Sequence, residues 1–230
     1  AKNHRAIGLG VMGYHSLFQS KLVEFDSIHA KGLNAQIFST LKDRSEIASR
    51  ELNKEYGYRS IRTGYANTTL MAIAPTKSSS FIHGAVSMGI EPIKSNYFIK
   101  DLAKSKTVYK NPFLEAELEK YGLNNTKTWQ SILKKDGSVQ HLDFPNKEVF
   151  KSFVEISPKE LVLQAAQRQK YIDQSQSLNL MIDPSVSAKD INKLYMYAWE
   201  EGVKTLYYQF SKSSAQDFAR NILECSSCEG

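Results

Sequence analysis

Four groups of residues have types and spacing that could do chemistry. Cys225 and Cys228 flank two serines at the extreme C-terminus. That spacing allows a reversible disulfide, and an exposed position allows exchange with another dithiol. The competing use is half of a zinc site, which needs two more ligands. His4, His15, His29, His83 and His141 are all distant in sequence and there is no second cysteine pair, so redox use is favoured. The second group is Pro75-Thr76-Lys77-Ser78-Ser79-Ser80, between an apolar run and Phe81-Ile82, which could begin a helix. Unpaired N–H groups at a helix start, with hydroxyls around them, suit an anion. Plain N-capping by a serine is the alternative, and it explains one serine more easily than three. The third is Tyr207-Tyr208. Neighbours on a strand point to opposite faces, so at most one is a core residue, and in a chain with twelve tyrosines ordinary packing is the default. The fourth, Gly8, Gly10 and Gly13, matches a dinucleotide-binding fingerprint in letters. Little chain precedes it, and no convincing second strand brings Glu24 or Asp26 to a ribose. Close packing at a strand-to-helix turn is the favoured reading.

The elements that must position these residues alternate. Arg5 to Val11 reads as a short strand, followed by a helix through His15 to Leu22. Ile37, Leu41, Ala48 and Leu52 recur at helical spacing, with Gly57 placed as a left-handed C-cap. Thr69 to Ala74 is a strand closed by Pro75. Asn111-Pro112 opens a helix with Phe113, Leu114 and Leu118 on its face and a stop at Gly122. Ser157-Pro158-Lys159-Glu160 reads as a capping box opening a helix toward Tyr171. A strand at Ser177 to Met181 follows. Next comes a helix opened by Ser187 and Asp190, with Ile191, Leu194, Tyr195, Ala198 and Trp199 on its face, and a last strand from Val203 to Gln209. No strong strand stands out from Asn96 to Phe150. Strands alternating with helices imply parallel βαβ units, so the class is α/β. Residues 1–210 read as one domain and 211–230 as a flexible tail carrying the cysteines.

With 41% hydrophobic and 11% aromatic residues, the chain has a globular composition. No run of about 18 apolar residues exists, and glycines interrupt the first apolar stretch, so a soluble, non-exported, cytoplasmic protein is expected. The net charge of +6 invites a nucleic-acid reading. The basic residues are scattered among acidic ones and no binding motif appears, which favours a solvated surface over a specific nucleic-acid face.

Taken together, the segments resemble the large subunit of class I ribonucleotide reductase across essentially the whole chain. The stretches that carry the resemblance are Arg5-Ala-Ile-Gly-Leu-Gly-Val, Pro75-Thr-Lys-Ser-Ser-Ser, Gly89-Ile-Glu-Pro92, Ile172-Asp-Gln-Ser-Gln-Ser-Leu-Asn179 and Gly202-Val-Lys-Thr-Leu-Tyr-Tyr. The resemblance implies that this chain is the second half of a ten-stranded α/β barrel. It implies that Thr76, Ser78, Ser79 and Ser80 hold the substrate diphosphate, with Lys77 at a position that varies in the family. By the same resemblance Tyr207 and Tyr208 carry a radical from a small subunit toward a catalytic cysteine, against the packing default. Cys225 and Cys228 would pass electrons from thioredoxin or glutaredoxin to an active-site disulfide.

The family's radical-forming cysteine and its disulfide-forming pair have no counterpart here, since both cysteines are accounted for by the tail. A separate chain carrying the N-terminal half is therefore expected to complete the site. No cofactor or metal is expected on this chain; a diiron or dimanganese tyrosyl radical belongs on the small subunit and nucleotide effectors on the N-terminal part. The expected function is reduction of ribonucleoside diphosphates, active only with those partners. The alternative is a non-catalytic module that binds nucleotide phosphates or regulates an intact reductase.

Overall fold

The computed structural model describes residues 2–58, 60–102 and 105–211, with the backbone alone given at 99–102 and 105–107. Of the expected tail, residues 212–230 lie outside these residues, Cys225 and Cys228 with them.

Four extended segments lie side by side in sequence order. Leu9 bridges Met71, and Ile73 bridges Gln176, each pair parallel. Ile7 N–H donates to Thr69 O at 3.1 Å, and Ile73 N–H donates to Ser175 O at 3.1 Å. At the far side, the two regular strands of the ladder, Leu180–Met181 and Gln209–Phe210, pair in parallel. The mixed helix-and-strand class is thus as expected, but regular strand is far shorter than the runs 5–11, 69–74, 177–181 and 203–209 suggested. One cause is the close approach at the first segment. A Cβ on Gly10 would lie 2.4 Å from the Ala72 carbonyl oxygen, and one on Gly8 would lie 2.8 Å from Ala72 Cβ. These glycines serve backbone packing, as expected, and Gly13 (φ 76°) turns the chain into the first helix.

That helix, α1, spans Tyr14–Ser20. Next comes α2, Ile28–Tyr56, opened by Ser27 Oγ accepting from Ala30 N–H at 3.1 Å and closed by Gly57 at φ 63°. Its inward face is Ala30, Asn34, Phe38 and Ser49; Ala48 and Leu52, expected inside, are exposed, and in that turn Ser49 faces inward with its hydroxyl donating to Asn67 Oδ1 at 2.8 Å. The short α3, Lys77–Ile82, follows the second segment. Two further ladder helices are α6, Pro158–Gln169, and α7, Ala188–Glu200. Ser187 Oγ caps α7 by accepting from Asp190 N–H at 3.2 Å. On α7 only Ala198 is fully buried; Tyr195 and Trp199, expected on its inner face, are exposed because Ile191 and Leu194 take the contact with the core. The expected box at Ser157 does not form. Ser157 makes no side-chain cap bond, and Glu160 pairs instead with Lys31 at 2.9 Å, joining α6 to α2. A box forms five residues earlier, where Glu155 accepts from both the N–H and the hydroxyl of Ser152 at 2.7 Å.

Residues 95–150 form a lobe with its own core of Leu114, Leu118, Trp129, Ile132, Val149 and Phe150. It holds α4, Pro112–Lys120, and α5, Thr126–Lys134. It also holds an antiparallel hairpin of β1, Tyr97–Leu102, and β2, Ser105–Lys110. The hairpin corrects the expectation of no strand there. Aromatic and β-branched residues at Tyr97, Phe98, Ile99, Thr107, Val108 and Tyr109 suit a pleated surface, and interspersed charges hid the pattern.

Where ladder bonds are few, side chains fix the register. The Asp173 carboxylate accepts from Leu70 and Met71 N–H at 2.8 and 2.9 Å, and Gln174 Nε2 donates to Ile7 O at 2.7 Å. Gln176 Oε1 accepts from Arg168 Nε at 2.6 Å, while its Nε2 donates to Ala165 O at 2.9 Å. Arg168 is fully buried between the rings of Tyr14 and Phe38, 5.6 and 5.7 Å from their centroids. Burial pushes its guanidinium down to about 10, so it remains a cation at neutral pH.

Candidate functional site

The C-terminal ends of the second, third and fourth segments converge, the edge at which open parallel sheets hold ligands. Thr76 follows the second segment in a left-handed conformation, φ 48°, and precedes α3. The helical ladder begins with Ser80 N–H to Thr76 O at 2.9 Å, leaving the N–H groups of Lys77, Ser78 and Ser79 ahead of it. The serines therefore lie within the helix, not before it as the sequence suggested. Lys77, Ser78 and Ser79 are exposed, and Ser80 is buried with its hydroxyl donating to Lys77 O at 3.3 Å. Thr76 Oγ1 faces inward and accepts from Gly89 N–H at 2.8 Å. This contact locks the following loop beneath the serines. It needs glycine there, since Gly89 has φ 51° and a Cβ would sit 2.8 Å from Ala74 O.

The locked loop delivers Glu91, 6% exposed, to the middle of the site. Burial raises its carboxyl above the usual range, and this is opposed by a hydrogen bond from Asn179 and by the charges of Lys94 and Lys77. A cavity of about 450 Å³ opens beside it, lined by Lys77, Ser80, Glu91 and Lys94 and by the hairpin aromatics Phe98 and Tyr109. Lys94 Nζ stands 4.3 Å from the Phe210 ring centroid and Lys77 Nζ 6.0 Å from it, which brings the ends of the second and fourth segments together.

Tyr207 and Tyr208 lead into the last strand, and their rings lie 4.1 Å apart at 52°. Both are half exposed, so neither is a core residue. The strict alternation expected of a strand is not seen, although ladder bonds already reach both residues: Tyr207 N–H donates to Leu178 O and Tyr208 O accepts from Leu180 N–H. The Tyr208 phenol makes Tyr207 harder to ionise, lifting it above its ordinary value by hydrogen bonding first and by charge second. Phe210 continues the aromatic row, 6.0 Å from Tyr208. Among the described residues, no group of three or more His, Cys, Asp or Glu is arranged to hold a metal ion. Nor is any helix long and apolar enough to cross a membrane.

Residues 1–60 and 58–209 match the family described as ribonucleotide reductase, barrel domain. The chain belongs to that family. It is 39% identical over 216 residues to the ribonucleoside-diphosphate reductase large subunit of Invertebrate iridescent virus 3, covering 90% of this chain and 34% of that protein. Against large chain 2 of Saccharomyces cerevisiae the identity is 31% over 245 residues, covering 89% of this chain and 28% of the yeast one. Among solved structures, the Actinobacillus ureae class Id ribonucleotide reductase alpha subunit superposes with a TM-score of 0.85 at 52% identity. That superposition covers 92% of this chain and 40% of the subunit. The chain thus spans about a third of the reductase subunits it resembles, and the resemblance drawn from its motifs holds at the level of the family.

Thr76, Ser80, Tyr207 and Tyr208, expected from the sequence as site residues, follow the second segment or lead into the fourth, whereas Glu91, Lys94 and Asn179 had no expected role. The signal for two of them was present, since Glu91 and Asn179 lie inside stretches that carry the family resemblance. What sequence could not supply is their contact across 88 positions.

Proposed function

We propose that this chain is the C-terminal part of a ribonucleoside-diphosphate reductase large subunit. In the reaction two thiols are oxidised to a disulfide while the ribose 2′-hydroxyl leaves as water, giving a deoxyribonucleoside diphosphate. The thiols that face the substrate, and the cysteine that becomes a radical, come from sequence outside these 230 residues, on the same polypeptide or on a separate N-terminal one. The nucleotide effector sites would lie there too. The radical originates on a small subunit with a diiron or dimanganese centre. Tyr207 and Tyr208 relay it, each giving up one electron and its phenolic proton and recovering both at the next hop. Thr76, Lys77, Ser78, Ser79 and Ser80 form the diphosphate end of the substrate site. There the exposed hydroxyls and N–H groups of Ser78 and Ser79, with the Lys77 ammonium, face an anion. Cys225 and Cys228 return electrons from thioredoxin or glutaredoxin to the active-site disulfide.

The observation that carries this reading is the pair of facing phenols, with rings 4.1 Å apart, in a chain of this family. Its test uses the complete enzyme, with the missing sequence and the small subunit supplied. Tyr207→Phe or Tyr208→Phe removes the phenolic proton that each hop must release, so turnover falls to background while subunit assembly persists; turnover that survives returns the pair to simple packing. Replacing both Cys225 and Cys228 with serine leaves turnover driven by dithiothreitol intact and abolishes turnover driven by thioredoxin. If thioredoxin still drives the variant, the relay assignment is wrong.

A further inference from the structure

We propose that Glu91 is a positioning residue: it fixes the amide orientation of Asn179 and, through it, the backbone of Tyr208 that sets how the two phenols face each other. The inference rests on the radical-relay reading of Tyr207 and Tyr208. Asn179 Nδ2 donates to Glu91 Oε1, and Asn179 Oδ1 accepts from Tyr208 N–H at 3.0 Å. An asparagine amide is nearly symmetric in shape but not in polarity. Turned over, it would set its NH₂ against the Tyr208 N–H, donor against donor. A carboxylate, which only accepts, selects the working orientation; a neutral side chain able to donate would not. Asn179 is 1% exposed and Glu91 6%, so the contact between them is largely shielded from bulk water.

The rest of the backbone there is already committed. Tyr207 N–H donates to Leu178 O at 2.8 Å and Tyr208 O accepts from Leu180 N–H at 2.9 Å, leaving the Tyr208 N–H to Asn179 alone. Glu91 itself is held by the loop that Thr76 locks through Gly89. One line of contacts therefore runs from the serine loop to the phenol pair. A buried acid costs more than a buried amide of the same shape, and orientation selection is a reason to keep the acid. Lys77 and Lys94 are the charges that face it.

The test is kinetic and uses the complete enzyme. Asn179→Asp keeps an acceptor for the Tyr208 N–H but places two carboxyl groups face to face. It should lower kcat about tenfold or more, with KM and small-subunit affinity within about twofold. Combining Asn179→Asp with Glu91→Gln reverses the polarity of the pair, since the new amide donates to the new carboxylate; kcat should recover to within about threefold of the unmodified enzyme. A kcat unmoved by Asn179→Asp, a loss shared equally by KM or assembly, or no recovery in the double variant overturns the proposal. If Asn179→Asp alone does not fold, the complementary double variant decides, and a kcat there below about a tenth of the unmodified value overturns it. Tyr208→Phe separates the two readings. Turnover that survives it overturns the relay and this inference together, whereas turnover lost in Tyr208→Phe but intact in Asn179→Asp overturns only the positioning role.

Discussion

Beneath the parallel segments, the core buries Arg168, His15, Asn34, Gln164 and Gln176 among its aromatic rings. The lobe of residues 95–150 closes around Leu114, Leu118, Trp129, Ile132, Val139 and Phe150, and buries a smaller polar set, including Asn96, Asn111 and Glu117. The two regions differ in what their backbones already have. The lobe is built of capped helices and a six-pair hairpin, whose backbone bonds are local, so apolar packing does most of the docking, with Asn96 Nδ2 donating to Gly137 O and Phe150 O at 2.9 and 2.7 Å. The ladder has only scattered bridges between segments far apart in sequence, and burying polar side chains that bond backbone is how it holds them in register. Each such group costs desolvation that its hydrogen bonds must offset, which makes the ladder core more exacting than the lobe. The candidate site lies on the ladder, the more exacting region.

Protonating a buried polar group of the ladder core is the strongest way to break this comparison. His15 is fully buried, its Nδ1 accepts from Ile93 N–H at 3.0 Å, and its ring lies edge-on to Phe25. Burial pushes its imidazole from 6.5 down to about 3. The folded-state value is the depressed one, so the stabilisation by neutral His15 is fully present above pH 6.5. It is lost progressively as pH falls from there toward 3, because the unfolded chain takes up a proton that the folded chain refuses. The loss approaches about 5 kcal/mol at the low end. His15→Asn keeps an acceptor for Ile93 and removes the titration. Urea midpoints of wild type and variant should diverge at neutral pH and converge as pH drops. Parallel midpoint curves would show that the core does not depend on an uncharged His15.

The lobe should respond to a smaller and simpler loss. Leu118 is fully buried in an apolar setting, so Leu118→Ala should cost about 3 kcal/mol through lost transfer energy and the cavity left behind. The chain's two tryptophans divide the readout: Trp129 is buried in the lobe core, and Trp199 is exposed on α7. The Trp129 emission shift in denaturant should therefore move to a lower midpoint, with no pH dependence of the kind that marks His15. An equal pH dependence in the lobe would erase the distinction between the two regions.

How much of this was legible in the sequence follows the same division. Helix ends set by local chemistry were readable: Gly57 after α2, Asn111-Pro112 before α4 and Ser187 before α7 all act where their types suggest. The hairpin was not, because Lys100, Asp101, Lys104 and Lys106 break up its aromatic and β-branched residues. In the site, the serine loop and the tyrosine pair could be named from family stretches. The facing of the phenols depends on the contacts at the end of the last segment, and the Glu91–Asn179 contact depends on two distant stretches meeting. Neither is a local property, so neither leaves a periodic signature. Ser157 shows the converse: a complete local signature overridden because Lys31, from a distant helix, claims Glu160.

Caps provide the finest test of the contrast. In the lobe, Asn125 Oδ1 accepts from Thr128 N–H at 3.1 Å and from the Thr128 hydroxyl at 3.3 Å, so the start of α5 depends on that side chain. Asn125→Ala should cost about 1 kcal/mol, as removal of an engaged N-cap does. On the ladder side, Ser157 stands at the start of α6 with no cap bond to lose, and the fixed φ of Pro158 already suits the first turn. Ser157→Ala should therefore cost no more than about 0.5 kcal/mol, the range of a surface change that breaks no specific contact. Thermal midpoints of the two variants measured side by side decide the matter. A larger loss at Ser157 would mean that the box reads as its sequence suggests and that Glu160 exchanges Lys31 for the helix start.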